Sequence, residues 1–154
     1  MKGHLKDLLL NKIRKHGPLT YPEFLEIVLF HPKWGYYNRK GEIIGKDGDY
    51  YTSSDLHPLF GWSLANLIKN LWEKDGKPRN PAVIEPGAGK GYLAHDILWW
   101  LEKENEIFRN FKYYIIEKSE KMRAREREIL KNYLDKVQWI NWRRKKLQSE
   151  WVFL

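Results

Sequence analysis

The sequence predicts an α/β protein built on a parallel sheet, and three observations carry that prediction. Short β-branched or aromatic runs at 82–85, 113–117 and 137–140 alternate with helical patterns. Strand–helix–strand order requires crossover connections, which set neighbouring strands parallel. The first run ends in Glu85-Pro86-Gly87-Ala88-Gly89-Lys90-Gly91, with a glycine at every second place, and leads straight into a helix. With 154 residues, 42% hydrophobic and 31% charged, and a mean hydropathy of −0.69, the chain has the size and composition of one folded domain.

Taken in order, Leu5, Leu8, Leu9 and Ile13 share a helical face that His16-Gly17-Pro18 terminates. Thr20-Tyr21-Pro22-Glu23 is a capping box, with the Thr hydroxyl accepting from an early helix N–H and Glu23 reaching back. Phe24, Ile27, Val28 and His31 share the next helix face, and Pro32 stops it. Residues 33–54 mix aromatics with glycine at turn positions, which predicts a hairpin or an ordered surface loop. A helix capped by Ser54 or Asp55, with Pro58 in its first turn, then runs to about Trp72, and 74–81 is a loop. After the first strand come a helix over 92–103 and a second strand. Ser119 caps a helix from 120 to about 134, a third strand follows, and Trp151-Val152-Phe153-Leu154 begins a fourth. Residues 1–80 thus hold N-terminal helices, an aromatic and glycine-rich loop and a leading helix. Residues 81–154 hold the first half of an α/β domain.

The formal charge of +8 is local: residues 118–146 carry eleven Lys/Arg against four Asp/Glu, and the rest seventeen against sixteen. A solvated helix face produces such a cluster as readily as a polyanion site does. The absence of Cys excludes disulfides, thiolate metal sites and cysteine nucleophiles. The five His are scattered without HxxxH or HExxH spacing, so no metal centre is expected; His95 and Asp96 are expected to be exposed. No apolar run approaches the ~18 residues of a spanning helix, and the start has no secretory pattern. A cytoplasmic location is the expectation.

The glycine turn is the segment that carries chemistry. Glycines there let the backbone turn sharply and let a ligand approach where a Cβ would collide. The helix N-terminus behind them favours an anionic ligand group. The GxxxxGK[ST] spacing of a nucleoside-triphosphate loop is absent. A dinucleotide site would place its third glycine at Tyr92, but here Gly91 stands one residue early and Glu85 precedes the turn. The pattern hh-E-x-G-x-G-x-G resembles the first motif of S-adenosyl-L-methionine-dependent methyltransferases.

The resemblance narrows further. Leu29-Phe30-His31-Pro32 with Trp34-Gly35-Tyr36-Tyr37, then Gly48-Asp49-Tyr50-Tyr51-Thr52-Ser53, then the glycine motif, then Ile115-Ile116-Glu117-Lys118-Ser119 occur in that order. Together they resemble the MidA-like methyltransferase family, whose mitochondrial members support assembly of respiratory complex I. Ser54-Asp55 stands where the family has Pro-Glu. The resemblance implies a Rossmann-like sheet with strands ordered 3-2-1-4 as far as this chain extends, and S-adenosyl-L-methionine as cofactor. It also implies roles. Gly87, Ala88, Gly89 and Gly91 bend around the methionyl part, with Glu85 near its ammonium. Glu117, with Lys118 beside it, holds the ribose hydroxyls. Asp49, Thr52 and Ser53 belong to a loop that covers the cofactor or shapes the acceptor entrance.

The function so implied is methyl transfer to a protein nitrogen, arginine being one candidate acceptor, with no general base assignable and no catalytic residue named. Two rivals stand beside it. One is a non-catalytic cofactor-binding or assembly module. The other is an RNA methyltransferase using residues 118–146, although nucleic acid is the less favoured partner. No membrane partner is expected. The chain reaches only the fourth of the family's seven strands, so it is expected to be an N-terminal portion, completed by another chain or by self-association through the exposed strand edge.

Overall fold

The computed structural model describes residues 2–141, 149 and 151–153. Its helices are α1 (Lys2–His16), α2 (Tyr21–Phe30), α3 (Ser53–Leu56), α4 (Leu59–Lys74), α5 (Tyr92–Leu101), α6 (Asn105–Asn110) and α7 (Glu120–Ile129). Its strands are β1 (Pro81–Pro86), β2 (Lys112–Ile116), β3 (Val137–Trp139) and β4 (Trp151–Phe153). They form one parallel sheet in the order β3-β2-β1-β4, as expected. Leu154 and residues 142–148, the latter including Trp142 and the last four cations of the basic cluster, lie outside the described residues.

The sheet is buried on both faces, which is why β1 and β2 read as continuous apolar runs. Val83, Tyr113 and Ile115 point into the main core with Ala65, Ile68 and Trp72 of α4 and Ala94, Leu98 and Leu101 of α5. The alternate residues Ala82, Ile84 and Tyr114 join Ile140 on the opposite face. At Gly61 α4 comes close against α5. A Cβ there would stand 2.5 Å from the Cβ of Asp96.

Several element boundaries differ from the sequence expectation, each for a local reason. The helix expected from Ser54 or Asp55 is two helices. His57 precedes a proline, which disfavours helical backbone, and it is extended at φ −161°, ψ 144°. The cap is Thr52, whose N–H and hydroxyl both donate to Asp55 Oδ2, at 2.8 and 2.7 Å. At α2 the expected capping box forms, with the Thr20 N–H donating to Glu23 Oε2 at 2.8 Å and the Thr20 hydroxyl donating to the same oxygen at 2.7 Å. The helix after the glycines stops at Leu101, and α6 follows because Ile107 and the next residue but three, Phe111, are buried in the main core. Beyond α7 the chain tightens into a 3-10 turn (Lys131–Tyr133) that tucks Tyr133 inward.

Residues 33–52 form an ordered loop and not a hairpin. Ile43 and Ile44 are both buried, so the pair cannot alternate between core and solvent as a two-sided strand does. They pack instead on Met122 of α7. The Ile44–Tyr50 bridge is parallel and isolated, and Gly45 N–H donates to the Tyr50 carbonyl at 2.8 Å.

Candidate cofactor site

The carboxyl ends of β1 and β2 are level, with Pro86 opposite Ile116. The Gly87 N–H continues the ladder by donating to the Ile116 carbonyl at 2.9 Å, which fixes the glycine turn beside Glu117. Gly87, Gly89 and Gly91 all have positive φ, 72°, 61° and 88°, where side chains are strained. Their surroundings differ. Space beside Gly87 is open, a Cβ on Gly89 would stand 3.2 Å from Ile44 Cδ1, and one on Gly91 would stand 3.4 Å from Glu126 Cα. One glycine therefore leaves backbone bare to the pocket, one admits the covering loop and one admits α7.

Between the turn and the covering loop lies a cavity of about 490 Å³, within the usual range for small-molecule sites. Glu85, Gly87, Ala88, Gly89, Glu117 and Lys118 line it on the sheet side, and Thr52 on the loop side. The structure thus brings together seven of the ten residues expected at the site. Gly91 acts behind the turn, against α7. Ser53 begins α3 and is exposed. Asp49 turns the other way: its Oδ2 accepts from the Tyr36 hydroxyl at 2.7 Å and pairs with Arg39. That ion pair orders the loop, and Asp49 is not part of the cavity wall.

The wall also contains residues that spacing did not reveal. Phe30 and Tyr37 stack with ring centroids 5.5 Å apart at one end. Ile44, Tyr50, Asp55 and Lys90 line the loop side. Lys90 was visible within the glycine motif, but nothing in the sequence marks which way its side chain turns. The aromatics of 30–37 were visible as a cluster without a direction.

Three carboxyls converge beneath the turn. Glu85 Oε2 accepts from the buried Tyr113 hydroxyl at 2.8 Å, and burial pushes its pKa up to about 7. Glu117 is 8% exposed; burial raises its pKa against the opposing hydrogen bonds of the Ser119 and Lys118 N–H groups. Ser119 N–H donates to Glu117 Oε1 at 2.6 Å and, with the Lys118 N–H, fixes the carboxylate at the cavity wall. Glu126 is fully buried behind them. Its Oε2 accepts from Trp139 Nε1 at 2.6 Å, its Oε1 has no hydrogen-bond partner, and burial pushes its pKa to about 7.

His95 and Asp96 are not the exposed pair expected. Asp96 is 8% exposed where α5 meets Gly61, its Oδ1 lies 3.1 Å from His95 Nδ1, and neither residue lines the cavity. Within the basic cluster, the described cations are largely engaged inside the molecule. Lys118 pairs with Glu26, Lys121 donates to the Arg39 and Gly41 carbonyls, and Arg123 donates to the Glu117 carbonyl. Lys136 donates to the Phe108 and Arg109 carbonyls.

Residues 63–154, more than half of the chain, match a family model described as "Putative S-adenosyl-L-methionine-dependent methyltransferase". The chain is 35% identical over 101 residues to the Drosophila melanogaster protein arginine methyltransferase NDUFAF7 homolog, mitochondrial, covering 66% of this chain and 23% of that one. It is 31% identical over 116 residues to the human protein arginine methyltransferase NDUFAF7, mitochondrial, covering 74% and 26%. A Burkholderia thailandensis crystal structure bound to S-adenosyl-homocysteine superposes with a TM-score of 0.74 at 26% identity, covering 96% of this chain and 39% of that one. The chain therefore spans about a quarter of the length of these curated relatives. The cytoplasmic expectation is overturned by the same comparison, because both of these relatives are named mitochondrial. By its motifs, its 3-2-1-4 sheet and the family match, the chain belongs to the MidA-like family of S-adenosyl-L-methionine-dependent methyltransferases.

Proposed function

We propose that this chain forms the cofactor-binding part of a methyltransferase that uses S-adenosyl-L-methionine to methylate a protein nitrogen, with arginine the acceptor its relatives' names suggest. The observation that carries this reading is a shared cavity: the glycine turn after Glu85 and the carboxylate of Glu117 open on the same space. The residues fit the cofactor. Bare backbone at Gly87 and the N-terminal turn of α5 suit its carboxylate. Glu85 lies on the ammonium side, directly or through water, and Glu117 presents its carboxylate to the ribose from the cavity wall. Phe30 and Tyr37 offer an aromatic surface to the base. The bound cofactor supplies an activated methyl on a good leaving group, so the protein's share of the work is enclosure and alignment. Of the two expected parts, 1–80 covers such a site through residues between Phe30 and Asp55, and 81–154 supplies its sheet side through β1 and β2.

Calorimetric titration of the folded protein with S-adenosyl-homocysteine tests this. Saturable binding, weakened on the order of tenfold or more by Glu117→Ala, is expected. Absence of binding, or binding indifferent to that substitution, removes the reading.

A further inference from the structure

We propose that Lys90 is a positioning residue: from the glycine turn, its ammonium clamps the two ends of the 42–55 segment through Glu42 and Asp55, and so sets how tightly the cavity is closed. This rests on the cofactor reading above.

Lys90 stands between Gly89 and Gly91, one residue before the cap of α5. A cation so close to a helix N-terminus is disfavoured by the backbone dipoles, and its placement there calls for compensation. Its ammonium finds two carboxylates. Glu42 Oε1 lies at 2.9 Å and Asp55 Oδ1 at 3.9 Å, and the lysine side chain is only 15% exposed. The contact with Lys90 holds the Glu42 carboxyl below its usual range.

Two features show that the loop is shaped around this ammonium. Gly45 has φ +111°, and a Cβ there would stand 2.3 Å from Lys90 Nζ, so the missing side chain is the space the ammonium occupies. Asp55 Oδ1 is buried without a hydrogen-bond partner, while Oδ2 is saturated by Thr52. A buried unpaired carboxylate oxygen is costly, and the Lys90 ammonium lies 3.9 Å from it, about 1 Å longer than an ideal hydrogen bond. The clamp is thus closed on Glu42 and one short step from closing on Asp55. The segment it ties down carries Ile44, Tyr50 and Thr52 into the cavity wall. An exposed ion pair would add little to stability, but a clamp on a cavity's cover acts on the ligand's escape.

The test is the dissociation rate of S-adenosyl-homocysteine by stopped flow, alongside the melting temperature of the ligand-free protein. Lys90→Met is expected to speed dissociation about tenfold, and Lys90→Arg to recover all but about threefold, as expected for a charge-assisted contact. Gly45→Ala should resemble Lys90→Met. Gly76→Ala, at φ +81° with open space around it and away from the cavity, carries the same backbone strain and should leave the rate within about threefold. Should Lys90→Met fail to fold, Glu42→Gln loosens the same clamp without touching the glycine turn. Wild-type dissociation rates in the folded Lys90, Glu42 and Gly45 variants overturn the proposal while leaving the cofactor reading intact. No saturable binding by the wild-type protein overturns both together.

Discussion

The two walls of the cavity are held in different ways. On the sheet side, the Glu85 turn and Glu117 are placed by parallel register, a ladder hydrogen bond from Gly87 and a core buried on both faces. On the loop side, a non-repetitive segment is held by a core of three residues, Ile43, Ile44 and Met122, and by polar ties from Lys90, Lys121 and Arg39. The first wall belongs to the cooperative fold. The second rests on few apolar contacts and is suited to open at lower free energy. A site built this way can keep its specificity on the rigid wall and exchange ligand past the other.

The strongest way to break this contrast is to delete matched side chains. Ile115 and Ile43 are both fully buried. Ile115→Ala should cost roughly 2–5 kcal/mol of global stability, read as a lower melting temperature. Ile43→Ala removes the same atoms but should act locally, raising amide exchange over residues 43–50 while the melting temperature falls much less. Equal losses in melting temperature would show that the walls fold as one unit.

The glycines sharpen the comparison at a smaller scale. Gly91→Ala meets left-handed strain beside α7 at ordinary contact distance, 3.4 Å from Glu126 Cα, and should cost about 1–3 kcal/mol of stability. Gly87→Ala meets the same strain at a similar cost, but its methyl enters the cavity. Its distinguishing effect should therefore be on S-adenosyl-homocysteine affinity, measured by titration. If Gly91→Ala weakens that affinity as much as Gly87→Ala does, the two glycines do not face different neighbours as described.

Smaller again is a pH effect confined to the sheet wall. Glu126 has a pKa pushed by burial up to about 7, with Glu117 and Glu85 adding to the rise and Trp139 and Arg123 opposing it. Because the folded value lies above the unfolded 4.5, the neutral carboxyl favours folding, and its contribution is complete below about 4.5. That contribution is lost as pH rises towards and past about 7. Glu126→Gln keeps an acceptor for Trp139 and cannot ionise. It should flatten the fall in melting temperature between pH 5 and 8 and stabilise the protein at pH 8, on the order of 1–2 kcal/mol. An unchanged pH profile would place the titration elsewhere.

The same division explains what was legible in the sequence. The parallel strands, Gly87 and Glu117 follow from local patterns, since strand runs, glycine spacing and a strand-end acid each reflect backbone geometry within a few residues, whereas the 3-2-1-4 order came from the family resemblance. The roles of Lys90, Ile44 and Asp55 depend on contacts between segments 35 to 80 positions apart, and on which neighbour occupies the space beside Gly45 and Gly89. No periodicity encodes that. The α3–α4 break was readable from His57-Pro58. Of the hairpin and the ordered loop that residues 33–54 allowed, the loop formed because Ile43 and Ile44 are buried side by side, an arrangement set by Met122 some eighty residues away.

Asp49 gives the smallest effect and the finest test of the division. It lies in the motif that suggested cofactor contact, yet its carboxylate faces Tyr36 and Arg39, outside the cavity wall. The pairing holds its pKa below the usual value, with the Arg39 hydrogen bond the leading cause. Asp49→Asn retains an acceptor for Tyr36 and loses only the charge of an exposed pair, a kind of interaction with small net effect. Titration should therefore return an S-adenosyl-homocysteine affinity within about twofold of wild type, in contrast to the Glu117 variant. A loss approaching that of Glu117→Ala would mean that Asp49 swings to the ligand, and that the loop wall rearranges on binding more deeply than a one-ångström closure at Lys90 allows.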